Sequence, residues 1–288
     1  MTYRQKLTNS IIYDSLTAQI VRFVLASNGS TQMITNLFRT SFVIALLFFT
    51  CIPGNSVEAK YASLIINAKT GVELHSRNAN TKKFPASLTK IMTIYMIFDA
   101  LENKKWSLRK RLKVSRRASR QPQTRLGLKR GSTITVKTAI LALITRSAND
   151  VATVVAENMS GSEIKFARQM TRKARTLGMV RTTFRNASGL PNRRQLSTAR
   201  DMAKLAIAIR SDFPQFYHFF KTKKFRYRGR TYRNHNMLLG RYSGTDGVKT
   251  GYTNASGYNL VASVKRRGKH LIGIVFGGKT GPRRDRHM

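Results

Sequence analysis

Residues 86–101, ASLTKIMTIYMIFDAL, place Leu88, Ile91, Met92, Ile94, Tyr95, Ile97 and Phe98 on almost every face of the helix they predict. A helix without a polar side is stable in water only when other elements wrap it all round. The chain must therefore build a substantial core around this one segment. Its 288 residues and its hydrophobic fraction of 41% are sufficient for that.

The rest of the chain predicts what does the wrapping. YASLIINAKTGVELHS reads as a β-hairpin with Gly71 in its turn. VKTAILALIT and DVATVVAENM read as two helices broken at RSAND. From Ser162 to Leu177 an amphipathic helix follows, with Ile164, Ala167, Met170 and Ala174 along one stripe, Ser162 as its cap and Gly178 as its stop. Thr198 and Asp201 form a capping-box pattern ahead of DMAKLAIAIR. KKFRYRGRTYR predicts a hairpin turning at Arg228-Gly229, and GVKTGYT, GYNLVASV and HLIGIVFGG predict strands. Strands at both ends with helices between them give the expected fold class, α+β: an antiparallel sheet formed by both chain ends, with a helical insertion.

Within FPASLTKIMT, Ser87 and Lys90 stand three residues apart where the apolar helix begins. Ser-x-x-Lys also occurs at Ser107 and Ser162, so spacing alone selects nothing. Ser162 is explained as a helix cap, and Ser107 lies in the basic stretch WSLRKRLK. Only Ser87 has a chemical setting. Its N–H, in the first turn of a buried helix, lacks an intrahelical partner and lies at the positive end of the helix dipole, which suits an oxyanion. Lys90 shares its face on a helix with no polar side, so desolvation should lower its pKa and supply a neutral amine as base. Taken alone, the pair also fits an N-cap beside a lysine that reaches out to solvent.

At the N-terminus, FVIALLFFTCI (42–52) is too short for an ordinary membrane span and suits the apolar region of a secretory signal, preceded by Arg39. Val57 and Ala59 fit a cleavage site, so residues 1–59 are read as an extension and signal, with Met33 as a second candidate start and an uncleaved anchor as the alternative. Export to the periplasm or cell envelope is the expectation. Cys51, the sole cysteine, lies in that segment, which excludes disulfides and thiol chemistry from residues 60–288. Those residues hold 49 Lys+Arg against 10 Asp+Glu, a net charge of +39. The cations are spread along the whole chain without a zinc-finger, homeodomain or basic-zipper pattern, which favours anionic envelope surfaces over nucleic acid as the partner.

Ser147-Ala148-Asn149 at the break between two helices and Lys249-Thr250-Gly251 on a predicted strand follow Ser87 and Lys90 in the order found in penicillin-recognising serine enzymes. With NAKTGVELHSRNA, PASLTK, RSANDVA, NASGLP, STARDM and DGVKTGYTNASGYNLVAS around them, residues 60–288 resemble the D-alanyl-D-alanine carboxypeptidases of the low-molecular-mass penicillin-binding proteins. That resemblance implies a penicillin-binding protein/β-lactamase-like transpeptidase fold, no cofactor and no metal. It implies that Ser87 attacks the carbonyl between the last two D-alanines of a peptidoglycan stem peptide, with Lys90 as base. Ser147 would relay a proton to the leaving amine and Asn149 would hold the substrate amide. Ser87 and Tyr252 N–H groups would bind the oxyanion, while Lys249, Thr250 and Arg200 would face the terminal carboxylate, with Gly251 beside them. β-Lactams would be covalent inhibitors. Penicillinases share the plan, but RNASGLPNRRQLSTARD lacks the glutamate that hydrolyses their acyl-enzyme. A silent wall-binding module is the third reading.

Two other patterns compete. Gly273 to Thr280, GIVFGGKT, fits a phosphate loop, although Ile274, Val275 and Phe276 read as strand. Ser76-Arg77-Asn78 and Lys279-Thr280-Gly281 repeat the later motifs out of place. The chain reaches GPRRDRHM without the helix that in this family covers the sheet, so a bare apolar face is expected there.

Overall fold

The computed structural model describes residues 61–288; the expected signal segment, Met33 and Cys51 lie outside the described residues. β1 (Ala62–Asn67) and β2 (Glu73–Arg77) form the first hairpin, with Gly71 at φ +74 in its turn, a conformation that glycine adopts without strain. One 3-10 turn, Ala86–Leu88, leads into α1 (Thr89–Glu102). There follow β3 (Arg111–Lys113), α2 (Arg116–Ser119), β4 (Thr133–Thr135), α3 (Val136–Thr145), α4 (Asn149–Ser160), α5 (Glu163–Thr176) and α6 (Ala199–Ser211). β5 (Lys224–Tyr227) and β6 (Arg230–Arg233) pair only with each other, and α7 (Leu238–Arg241) precedes β7 (Thr245–Thr253), β8 (Gly257–Arg266), β9 (Lys269–Gly278) and α8 (Gly281–His287).

The large sheet has the order β2-β1-β9-β8-β7 and is antiparallel throughout. Its centre joins the two ends of the described chain, from Ala62 opposite Phe276 to Asn67 opposite Leu271. α1 is the buried core element that its pattern requires: 11 of its 14 residues are buried, and α3, α4, α5 and α6 pack around it. α6 also lies on β1, β8 and β9. Ile272, Ile274 and Phe276 of β9 face this main core, so the phosphate-loop pattern is buried sheet, and Thr280 only caps α8.

Two expectations change. Ile164 is exposed, while Phe166, Ala167, Met170 and Ala174 form the buried stripe of α5. Counting back in helical steps from Met170 and Ala167 reaches positions 166 and 163, and position 163 holds Glu163, whose carboxylate accepts from Arg117 and the Ala187 N–H. Residues 281–287, read from the sequence as a tail without a covering helix, form α8 on β8 and β9. On that sheet face Leu260 and Ala262 pack with Leu238 and Met288, and a Cβ on Gly273 would collide with the Met288 sulfur. A small two-stranded sheet, β3 with β4, lies in the basic connection between α1 and α3. Among the described residues, no helix is long and apolar enough to cross a membrane.

Candidate active site

Ser87 lies in the 3-10 turn ahead of α1, and the backbone around it is under strain. Ala86 has φ +48, outside the range a residue with a Cβ prefers. Two neighbouring segments press against the turn. A Cβ on Gly251 of β7 would stand 3.0 Å from the Ser87 nitrogen, and one on Gly189, which has φ +86, would collide with the Ala86 carbonyl. Only glycine permits these approaches. Asn259 of β8 ties the turn to the sheet, donating from Nδ2 to the Phe84 carbonyl at 3.1 Å while its Oδ1 accepts from the Gly277 N–H at 3.0 Å.

Lys90 is fully buried, and its Nζ meets Ser87 Oγ at 3.2 Å, Asn149 Oδ1 at 2.8 Å and the Ser188 carbonyl at 2.5 Å. Desolvation, aided by the nearby Lys249 charge, holds its pKa well below the lysine range, against the opposite pull of Asp150 and Glu163. The contacts suit a neutral amine. An amide oxygen and a carbonyl can only accept, so they take its two N–H protons, and the lone pair faces the Ser87 hydroxyl. This is the arrangement of a nucleophile with its base.

Ser147 has φ +59 at the α3–α4 break, is 4% exposed, and its hydroxyl has no partner among the described residues. A buried hydroxyl held free at a strained position is available to a substrate. Asn149 is already engaged in the structure. It lines the cleft, but its Oδ1 is used by Lys90 and its Nδ2 donates to the Pro122 and Gln123 carbonyls, both at 3.1 Å. In this arrangement the side chain holds Lys90, and the second lone pair of its Oδ1 remains for a further donor.

Next to it, the Asp150 carboxylate is fully buried and accepts from the N–H groups of Leu126, Gly127, Leu128 and Val151. It thereby pins the loop that supplies Gln123 and Thr124 to the cleft. Asp150→Ala should cost about 3 kcal/mol in urea unfolding, because those donors lose a buried charged acceptor. Loss of less than about 1 kcal/mol would show that the loop is held elsewhere.

Thr250, Gly251 and Tyr252 line a cleft of about 1160 Å³ together with Ser87, Ser147 and Asn149. Lys249 lies beneath that surface, 1% exposed, with its Nζ 2.9 Å from the Thr250 carbonyl. Burial and the Arg284 charge lower its pKa to about 7. Arg200 is not among the described residues that line the cleft. Its guanidinium is bound by Glu73 and by Asn80 Oδ1, so β2 supplies the negative charge that offsets a cation in the first turn of α6. The same contact lowers the Glu73 pKa.

Three arginines do line the cleft, Arg241, Arg286 and Arg284; the last, in α8, is 5% exposed and donates to the Asn259 carbonyl at 3.3 Å and to Asp285. Sequence reasoning missed it, because nothing in GPRRDRHM distinguishes it from its neighbours. His235, on the cleft wall before α7, was also missed; partial burial and the charges of Lys249 and Arg146 lower its pKa to about 4. Asp285 is the one carboxylate among the described cleft-lining residues, and Arg284 binds it.

Comparisons with known proteins show what the chain is similar to. Residues 51–280 match a family described as D-alanyl-D-alanine carboxypeptidase. The D-alanyl-D-alanine carboxypeptidase DacF of Bacillus subtilis is 36% identical over 233 residues, 79% of this chain and 59% of DacF. DacC of Escherichia coli, described by the same activity, is 38% identical over 232 residues, 78% of this chain and 58% of DacC. The chain thus spans less than two thirds of either relative. Among solved structures, penicillin-binding protein D2 from Listeria monocytogenes in an ampicillin-bound form is 30% identical with a TM-score of 0.72, over 81% of this chain and 96% of that one. Penicillin-binding protein 5 from Haemophilus influenzae gives 30% and 0.75, over 78% and 67%.

Proposed function

The chain belongs to the D-alanyl-D-alanine carboxypeptidase family, and from that premise we propose that it is a serine carboxypeptidase which removes the terminal D-alanine from peptidoglycan stem peptides and is inhibited by β-lactams. The observation that carries this is the Ser87–Lys90 contact, in which a buried amine, also bonded to Asn149 and the Ser188 carbonyl, lies 3.2 Å from a serine hydroxyl at the cleft.

Lys90 takes the Ser87 proton as Oγ bonds to the scissile carbonyl carbon. The developing oxyanion is held by the N–H groups of Ser87 and Tyr252, a contribution of about 3 kcal/mol in comparable sites. The proton then passes, through the Ser147 hydroxyl, to the departing D-alanine nitrogen as the amide bond breaks. Lys249 and Arg284 supply positive charge for the terminal carboxylate, and Thr250 lines the same wall. Water, deprotonated at the same site, finally releases the acyl group.

The cleft also favours this reading over a penicillinase. Its one carboxylate is held by Arg284, and no free carboxylate among the described lining residues is placed to activate water against a bulky penicilloyl ester. Release of D-alanine from an acylated L-Lys-D-Ala-D-Ala peptide, with nitrocefin turned over slowly, is the expected result. Rapid nitrocefin turnover would instead support the penicillinase, and no D-alanine release from a folded protein would support a wall-binding role. We place the protein in the exported fraction of the cell, on the strength of the apolar segment at 42–52. Peripheral contact with anionic envelope surfaces follows from its charge.

A further inference from the structure

The hairpin β5–β6 has a composition that its own stability does not explain. Seven of the 13 residues from Lys221 to Arg233 are Lys or Arg and none is acidic. All seven are exposed, and among the described residues none of them forms an ion pair. Where acids are near, this protein pairs its cations, as in Arg117 with Glu163 and Arg210 with Asp246. In the hairpin it instead sets Lys224 directly opposite Arg233. Like charges in register destabilise a strand pair. What holds the hairpin is an apolar ladder, with Phe225 stacked between Tyr227 and Tyr232 at 6.2 and 6.3 Å, and a two-residue turn with Arg228 at φ +44 and Gly229 at φ +76. The charge is an addition that works against the fold.

The base of the hairpin is fixed to the cleft. The Asn234 N–H donates to the Lys223 carbonyl and its Nδ2 to the Thr222 carbonyl, both at 2.9 Å, and the next residue, His235, lines the cleft with Met237. The guanidinium of Arg146, next in sequence to Ser147, lies 5.5 Å from the Tyr232 ring centroid. Arg241 and Arg286 extend the same sign of charge along the cleft. Positive charge aligned at a cleft mouth concentrates an anionic chain there.

We propose that this hairpin is an exosite for polymeric substrate, binding the free carboxylates of stem peptides that neighbour the one in the cleft. The proposal rests on the reading of the cleft as a peptidoglycan carboxypeptidase site. A short peptide reaches the cleft without the exosite; a wall polymer engages both.

The test is co-sedimentation of the full chain with purified peptidoglycan sacculi, untreated or with their carboxylates amidated, alongside a variant carrying Lys223→Gln, Lys224→Gln, Arg226→Gln and Arg230→Gln. The variant should need about tenfold more sacculi for the same pelleted fraction at low salt, a difference that shrinks in 0.5 M salt and vanishes on amidated sacculi. Its rate of acylation by benzylpenicillin, and its rate on the short tripeptide, should equal those of the unaltered protein. Equal sedimentation of variant and unaltered protein, or full binding to amidated sacculi, would overturn the exosite. So would an equal hairpin-dependent gain in binding to phosphatidylglycerol vesicles, which would make the patch a general anion surface. Because sedimentation does not depend on turnover, failure of the carboxypeptidase reading shows separately, as absence of D-alanine release.

Discussion

Incubated with benzylpenicillin, the protein should gain a single penicilloyl group that persists, and Ser87→Ala should gain none. The expectation follows from position. Ser87 Oγ is the hydroxyl in contact with the buried amine, its backbone nitrogen lies against Gly251 of β7, and the turn that carries it is held by Gly189 and Asn259. Alanine keeps the turn and removes the nucleophile, so acylation and D-alanine release should both fall by at least about a thousandfold. Intact mass with peptide mapping decides it. An adduct retained in Ser87→Ala, or mapped to Ser147, would move the nucleophile and overturn the mechanism. An adduct lost within minutes would show an efficient deacylating base that the described cleft does not display.

Lys90→Met should lower the acylation rate by about 10² to 10⁴, since a thioether cannot take the Ser87 proton. The unaltered enzyme should lose activity as pH falls through the folded-state pKa of Lys90, because a protonated amine has no lone pair to offer. Stability carries the same signature. In the unfolded chain Lys90 stays protonated up to its ordinary pKa of 10.5, whereas burial and Lys249 keep it neutral in the native protein down to a much lower pH. Between those two values the unfolded chain holds the extra proton, so native stability rises with pH across that window and falls as pH drops through it. Lys90→Met should flatten that part of the stability curve measured by urea unfolding at several pH values. Full acylation activity in Lys90→Met, or an unchanged slope with pH, would show that the amine is neither the base nor the desolvated group.

Much of this was legible along the chain. The all-round apolar pattern of residues 86–101 requires a wrapped helix, and α1 is one. Turn chemistry at Gly71 and Arg228-Gly229 and the caps at Ser162 and Thr198 act within a few residues, so they survive in the structure as read. Thr198 accepts from the Asp201 N–H, yet the Asp201 carboxylate turns to the Thr182 hydroxyl and the Arg181 N–H, so the reciprocal half of the box is missing. Ile164 went astray because steps of three and of four residues both stay near one face of a helix, and only the buried Glu163 contacts decide which of the two continues the stripe. Arg284, and not Arg200, lines the cleft for a related reason. Among 53 basic residues, sequence offers no means of telling a guanidinium paired with Glu73 from one turned to the cleft.

By itself the sequence determined which helix is central, where the strands at both ends of residues 60–288 lie, and that Ser87 and Lys90 stand on one face, because each of these depends on short-range periodicity. Tertiary structure alone decided the protonation and the assignments. Lys90 meets Asn149 and Ser188 from 59 and 98 residues away, and Lys249 of β7 comes near enough for its charge to act on it. Desolvation and Coulombic coupling act through space and fall off with distance, not with sequence separation, so the group that becomes a base is known only once the chain has closed around it.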